Sequence, residues 1–390
     1  MSSAAQQKHR PRSEPGDLQP DERRATVCVA LYSFDIGGSE VLGVRLVARY
    51  LRFGFKVVCC CTRRASGPLV AELDKLEVPW LALDLDRRGR FSKLLAKLAL
   101  HTWLRKYDVD LMHVHHFSVL SDCYLSASMA GVKSLLVTEH TATPILDDKQ
   151  YRRVTARLAP KVAEIVAINA VVQSAISTVS ARPRDSIRVI ENGVDTERFA
   201  PSASERASDR VNLLWVGRLH PDKNVLLALE AFRAVVTSTD RAARLTIVGD
   251  GEDRSAAEDY VRGNGLDAVV DIVGQLDDVS QLMSAADIYV LSSDTEGTPF
   301  AMLEAMSSGL PVVATAVGGI PSAVDEGMAI LVPPGDKDAL ADAMLSLVAD
   351  GSARRAMGAR SRQRACRDYS EERMAKSYLD LVQAMLDRHA

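Results

Sequence analysis

Two glutamates eight residues apart, Glu296 and Glu304, bracket a helix start in the stretch Asp287–Gly319. Asp287–Leu291 is a short apolar run with β-branched and aromatic members, the pattern of a strand covered on both faces. Ser292–Gly297 is a turn-rich loop that carries Glu296. Thr298 is expected as N-cap and Pro299 as the first helical residue. Glu304 then falls in the second helical turn, Gly309 with Pro311 stops the helix, and Leu310–Thr315 returns as a strand. A helix start presents unpaired N–H groups and the positive end of a dipole, a seat for phosphate. A glycosidase needs two carboxylates across one scissile bond. Here one acid precedes the helix and the other lies within it, so a division of labour fits better: one contacts a sugar, the other accepts ribose hydroxyls. The plain alternative is a capping acid plus a surface glutamate.

Other loops that follow apolar strands carry matching groups. After Val211–Val216 come Gly217, Arg218 and, five residues on from Arg218, Lys223. A planar guanidinium and a point charge near one helix start could clamp a diphosphate without a metal. Two solvated surface cations are the rival reading. Gly249 and Gly251 follow Arg244–Val248 and would let a ligand approach the backbone closely. Gly37 and Gly38 follow Ala25–Tyr32 and could meet the same phosphate from another domain, or form an ordinary strand-to-helix turn. The G-x-G-x-x-G fingerprint is broken at Arg254, and no G-x-x-x-x-G-K-[ST] occurs, which excludes a P-loop NTPase.

His113, His115 and His116 cluster on one expected strand, but no nearby carboxylate or cysteine is evident to complete a metal site. His140, just past Ser134–Thr138, is the better candidate for a sugar contact or a polar catalytic role, against the commoner structural use of a lone histidine. The six cysteines form no C-x-x-C pair and read as reduced, buried thiols. Asp84 and Asp86 are followed at once by Arg87 and Arg88 and read as solvated charge.

These loops need two scaffolds. The chain has 390 residues, 47% hydrophobic and 25% charged, enough for two domains with separate cores. The net charge of −3 and the 5% aromatic content argue against a nucleic-acid partner. Strands alternate with helices throughout, which predicts α/β units with parallel, doubly wound sheets, ligands lying at the carboxyl ends of the strands. Residues 1–24 lack an apolar core and are expected to be a disordered leader, not a secretory signal. Residues 25–198 form the first Rossmann-like domain, 199–210 a small, polar linker, and 211–370 the second. Residues 371–390 form a terminal amphipathic helix with Met374, Tyr378, Leu381 and Met385 on one face.

The order of motifs resembles glycosyltransferase family 4, over almost the whole chain beyond the leader. Glu296 and Glu304 stand in its Glu-x7-Glu signature. Around them run the GGSE loop, EHT at Glu139–Thr141, ENGVD at Glu191–Asp195, VGRLHPDKN at Val216–Asn224, VGDG at Val248–Gly251 and the GQL turn at Gly274–Leu276. The resemblance implies a GT-B fold and a retaining, metal-independent transfer from a nucleotide-diphosphate sugar, with no cofactor. It further implies that Arg218 and Lys223 hold the diphosphate, Glu304 the ribose hydroxyls, and Glu296 the donor sugar. Backbone amides of Gly297, Thr298, Pro299 and Phe300 would touch sugar and phosphate. Leu276 would border the base, Gly37 and Gly38 would approach the phosphates, and His140 would contact the sugar. One departure from the common pattern is Thr298-Pro299-Phe300 after Gly297.

The acceptor is less marked. Between Asp86 and Asp108 there is no acid, while Arg87, Arg88, Arg90, Lys93, Lys97, Arg105 and Lys106 interleave with Leu94, Leu95, Leu98, Leu100, Trp103 and Leu104. Such a basic amphipathic helix suits an anionic membrane surface, or is a core-packed helix with a solvated basic face. The expectation is a cytoplasmic, peripheral enzyme acting on a glycan or lipid-linked acceptor in cell-surface or exopolysaccharide synthesis. Rival readings are a nucleotide-sugar epimerase of the same fold and a non-catalytic GT-B partner subunit. Intact Arg218, Lys223, Glu296 and Glu304 weigh against the second.

Overall fold

A computed structural model of the chain describes residues 25–63, 67–87, 89–202 and 210–389. The expected leader, residues 203–209 of the expected linker, and Arg88 lie outside the described residues.

Among the described residues, seven strands form the first sheet: β1 (Thr26–Leu31), β2 (Lys56–Cys61), β3 (Trp80–Ala82), β4 (Leu111–His115), β5 (Ser134–Glu139), β6 (Glu164–Ala167) and β7 (Ile187–Val189). Six form the second: β8 (Val211–Val216), β9 (Ala243–Val248), β10 (Val270–Gly274), β11 (Ile288–Leu291), β12 (Val312–Thr315) and β13 (Ala329–Val332). Every recorded strand pairing is parallel. Central strands such as β1 and β12 are buried residue by residue, because helices cover both faces. That is why they read as unbroken apolar runs.

The strand orders are 3-2-1-4-5-6-7 and 10-9-8-11-12-13. In each sheet the winding reverses beside its first strand, between β1 and β4 and between β8 and β11. A crevice opens at the carboxyl ends of the strands at such a reversal. The loops after β1, β4, β8 and β11 carry Gly37, His116, Arg218 and Glu296, so topology alone gathers them at two facing edges.

The chain crosses between the halves near its end. The helix Glu371–Asp387 buries Met374, Tyr378, Leu381, Val382 and Met385 in the same core cluster as Val27, Leu42 and Tyr50 of the first half. Its first residue, Glu371, accepts from Arg49 Nη2 at 2.8 Å and Nε at 3.1 Å. Phe199, at the start of the expected linker, is buried with Leu310 and Tyr369 in the second half.

Three local expectations are corrected. The helix after Glu296 runs Phe300–Ser307, one residue later than expected, with Pro299 at its N-cap position and no side-chain cap. Thr298 does not cap it, because its hydroxyl is taken by Asn169 Nδ2 at 3.2 Å. Two short helices, Thr143–Asp147 and Ile320–Ala323, were not anticipated. Five cysteines are buried, as free thiols, and Cys366 is exposed. No helix among the described residues is long and apolar enough to cross a membrane.

Candidate active site

The second sheet supplies the charged half. After β8 the chain turns through Gly217 and Arg218 into a single 3-10 turn, Pro221–Lys223. Asn224, in the left-handed region at φ 48°, caps the helix Val225–Ser238 through Leu227 N at 3.3 Å. This cap fixes where Lys223 points: its Nζ lies 2.8 Å from Glu296 Oε1. Ser293 Oγ donates to the same oxygen at 2.7 Å. The Glu296 side chain is 8% exposed, whereas Arg218 is 60% exposed and lies 3.6 Å from Asp222. Ser292 binds the two loops together, its hydroxyl at 3.0 Å from Lys223 O and 2.8 Å from Asn224 O. It also accepts from Trp215 Nε1 at 3.1 Å.

The glycines here are spacers between loops. A Cβ on Gly249, at φ 145°, would overlap the Gly217 carbonyl oxygen, and one on Gly318, at φ 55°, the Glu296 carbonyl oxygen. Gly249 therefore lets the β9 loop press against the Arg218 loop. That explains the residue without a ligand. Leu276, beyond β10, is 41% exposed.

Glu304 sits on the inner face of the Phe300–Ser307 helix, mostly enclosed. Its nearest cation is Arg45 Nη2 of the first half, at 3.9 Å. Burial raises its carboxyl above the usual range; Arg45 and then Arg198 pull it back, and Asp278 pushes it up again.

The first sheet supplies the other wall. Gly38 begins the helix Gly38–Phe53, and its Cβ position is 3.5 Å from the Phe300 ring. Glu40, in the first turn of that helix, is buried and accepts from Ser39 Oγ at 2.8 Å. His140 is buried, its Nε2 3.0 Å from His115 Nδ1, with the two rings stacked 5.1 Å apart. Burial, with His116 and His113 nearby, holds the His140 imidazole well below its ordinary range, so it is neutral. Its carbonyl oxygen occupies the place a Cβ on Gly297 would need.

The expectation that no carboxylate meets the histidine cluster is corrected. Glu139, at the end of β5, lies 2.7 Å from His116 Nδ1. It also accepts from Tyr151 OH at 2.6 Å, His140 N at 2.9 Å and Phe117 N at 3.1 Å. Burial alone would raise the Glu139 carboxyl; the charge and hydrogen bond of His116, with Tyr151 and Phe117, outweigh it and hold it low. Burial would lower His116, but the charge and hydrogen bond of Glu139, with Glu40 adding to them, outweigh it and raise the imidazole. His113 is a core residue, between Tyr50 OH at 3.0 Å and Thr138 Oγ1 at 2.8 Å. No group of three or more His, Cys, Asp or Glu among the described residues is arranged to hold a metal ion.

The two halves touch through the loop that starts the Phe300–Ser307 helix. Asn192 Nδ2 donates to Thr298 O at 2.8 Å, and Thr143 and Thr295 hydroxyls are 2.8 Å apart. Sequence pattern alone assigns no role to Asn169 or Asn192. The only signal was the position of Asn192 in the ENGVD motif.

Two parallel, doubly wound α/β units facing each other at their carboxyl edges are the GT-B architecture of glycosyltransferases. The chain belongs to glycosyltransferase group 1, family 4, and uses nucleotide sugars. Residues 36–198 match the profile described as Glycosyltransferase Family 4, and residues 210–350 that described as Glycosyl transferases group 1. The N-acetyl-alpha-D-glucosaminyl L-malate synthase of Bacillus anthracis is 27% identical over 292 residues, 70% of this chain and 74% of its own. The UDP-Gal:alpha-D-GlcNAc-diphosphoundecaprenol alpha-1,3-galactosyltransferase of Escherichia coli is 28% identical over 323 residues, 77% of this chain and 81% of its own. Anabaena HepE in complex with UDP-glucose superposes with a TM-score of 0.79 at 20% identity, over 92% of this chain and 99% of that one.

Proposed function

We propose that the protein moves a sugar, with retained anomeric configuration and without a metal, from a nucleotide-diphosphate sugar to a hydroxyl of a glycan or lipid-linked acceptor in cell-surface polysaccharide synthesis. One observation carries the reading. Arg218, Lys223 and Glu296 converge at the carboxyl ends of β8 and β11, opposite Gly37, Gly38 and His140 of the first half. In this reading Arg218 and Lys223 take the diphosphate and Glu304 the ribose hydroxyls. Glu296 and the neutral His140 take the sugar, the Gly297–Phe300 backbone lines sugar and phosphate, and Leu276 borders the base. The bond between the anomeric carbon and the diphosphate oxygen breaks, and its electron pair leaves with the diphosphate, where the two cations stabilise the charge. The acceptor oxygen bonds to the same face of the sugar, and its proton passes to the departing phosphate oxygen. The diphosphoundecaprenol named in the Escherichia coli relative supports a lipid-linked acceptor.

The helix Arg90–Lys106 supports attachment of the enzyme to the cytoplasmic face of an anionic membrane. Its inward side buries Ala96, Leu100 and Leu104, while Phe91, Leu94, Leu95 and Leu98 are 72%, 52%, 48% and 44% exposed. Leu125 and Met129 of the adjoining helix Phe117–Ala130 extend the patch, and the 90–106 helix carries no acid. An apolar row flanked by lysines fits a surface of anionic headgroups over acyl chains.

Thermal shift with UDP, GDP and ADP and their sugars tests the donor site: one series raises the melting temperature and Lys223→Ala abolishes the rise. Failure of every nucleotide overturns the reading. Flotation with anionic liposomes tests the surface: the protein floats at low salt, and absence of binding rejects the membrane.

A further inference from the structure

One face of the 38–53 helix runs along the second half of the molecule. Gly38 packs on Phe300, Arg45 lies over the same ring at 5.5 Å, and Arg49 binds Glu371. These positions are seven and four residues apart, so they share a stripe. Arg49 is well satisfied, with two bonds to one carboxylate oxygen. Arg45 is not. Its nearest carboxylate oxygen among the described residues, on Glu304, is 3.9 Å away, and its Nη1 is buried with no hydrogen-bond partner among them. An unpaired buried donor is uncommon and calls for an explanation.

We propose that Arg45 is a positioning residue for the donor: reaching across from the other domain, it aims the Glu304 carboxylate at the ribose diol. This rests on the reading of Glu304 as the ribose contact. Phe300 supports the arm from below, and Gly38 leaves room for the ring. The other groups that face Glu304 are Arg198, in the segment after β7, Asp278, in the turn after β10, and Tyr289 of β11. Arg198 is engaged by Asp278 at 3.0 Å, which leaves Arg45 as the cation nearest to Glu304. Without Arg45, the enclosed Glu304 takes up a proton at higher pH, because burial then acts with less opposition. A protonated carboxyl accepts poorly from two hydroxyls.

The experiment is titration of the full chain with UDP and with 2′-deoxy-UDP, at pH 8 and pH 6, with the GDP and ADP pairs run beside them. Arg45→Met weakens binding of the preferred ribonucleotide by about tenfold, a single charge-assisted contact. It weakens binding more at pH 6 than at pH 8, while binding of the 2′-deoxy form changes little. Arg45→Lys recovers most of the loss. Arg49→Met, a control for the domain contact, leaves the ribose preference intact. Equal weakening of both nucleotides by Arg45→Met means a merely structural role and overturns the proposal. Glu304→Ala separates the two levels. If it lowers ribonucleotide affinity while Arg45→Met does not, the ribose reading stands and Arg45 falls. If Glu304→Ala has no effect, or no nucleotide binds, both fall.

Discussion

Lys223 Nζ lies 2.8 Å from Glu296 Oε1, across 73 residues of chain. The cation assigned to the diphosphate and the acid assigned to the sugar therefore hold each other in register. In the proposed reaction this shared contact aligns leaving group and reacting carbon with a single pair, held by the Asn224 cap on one side and Ser293 on the other.

In the proposed reaction, Lys223→Ala removes a cation assigned to the leaving diphosphate. Donor turnover falls by about 10²–10³ in kcat/KM, the scale of losing one preorganised electrostatic contact. Steady-state rates with the preferred nucleotide-sugar measure it. A loss below tenfold would remove Lys223 from the chemistry.

Glu139→Gln breaks a buried pair from one side and leaves His116 beside an amide. Loss of about 3–5 kcal/mol of stability is expected, read as a shift of the urea midpoint at pH 7. A change under 1 kcal/mol would show that the four donors around Glu139 find other partners.

Acid weakens the first half. Burial keeps His113, His115 and His140 neutral, and pushes His113 down to about 3. The unfolded chain binds those protons near pH 6.5, and the folded chain refuses them. Their contribution is therefore complete above about pH 6.5 and is lost on acidification, by up to about 1.4 kcal/mol per pH unit per histidine. His116 runs the other way: its raised value contributes below its unfolded pKa and fades as pH rises through the folded one. The lowered Glu139 contributes above its unfolded pKa and is lost as pH falls through its folded one, so its contribution is intact down to about pH 5 and lost only in stronger acid. Urea midpoints should fall between pH 7.5 and pH 5, and an unchanged midpoint contradicts the buried neutral imidazoles.

Gly318→Ala adds a Cβ where the Glu296 carbonyl oxygen lies, at φ 55°. A loss of about 1–3 kcal/mol is expected from the backbone strain, together with a fall in kcat/KM of more than tenfold as the Glu296 loop moves. Gly335→Ala, at φ 73° with open space around it, is the matched control. It should lose stability alone. Equal rates for the two variants would dissociate Gly318 from the site.

Most of the architecture was legible because it is written in local pattern. Runs such as Thr26–Leu31 and Val312–Thr315 are buried on both faces and stay apolar throughout. Glu296 and Lys223 were legible because each follows a strand. What escaped depends on contacts across the fold. The Thr298 hydroxyl looks like a helix cap, yet Asn169, 129 residues away, claims it. The carboxylate partner of His116 is 23 residues distant and becomes its neighbour only when β5 pairs with β4. Gly249 has the appearance of a ligand-approach glycine, but the Gly217 backbone already accounts for it.

The docking of the Glu371–Asp387 helix on the first sheet has a consequence for biosynthesis. The apolar stripe formed by Leu42, Leu46 and Tyr50 shares a core with Tyr378 and Val382. Chains emerge from the ribosome amino end first, so this stripe waits for its cover until the 371–387 helix has been translated. The first half is thus begun before the second sheet and completed after it. A truncation ahead of Glu371 would strand the first sheet with an open apolar flank, a substrate for chaperones and proteases.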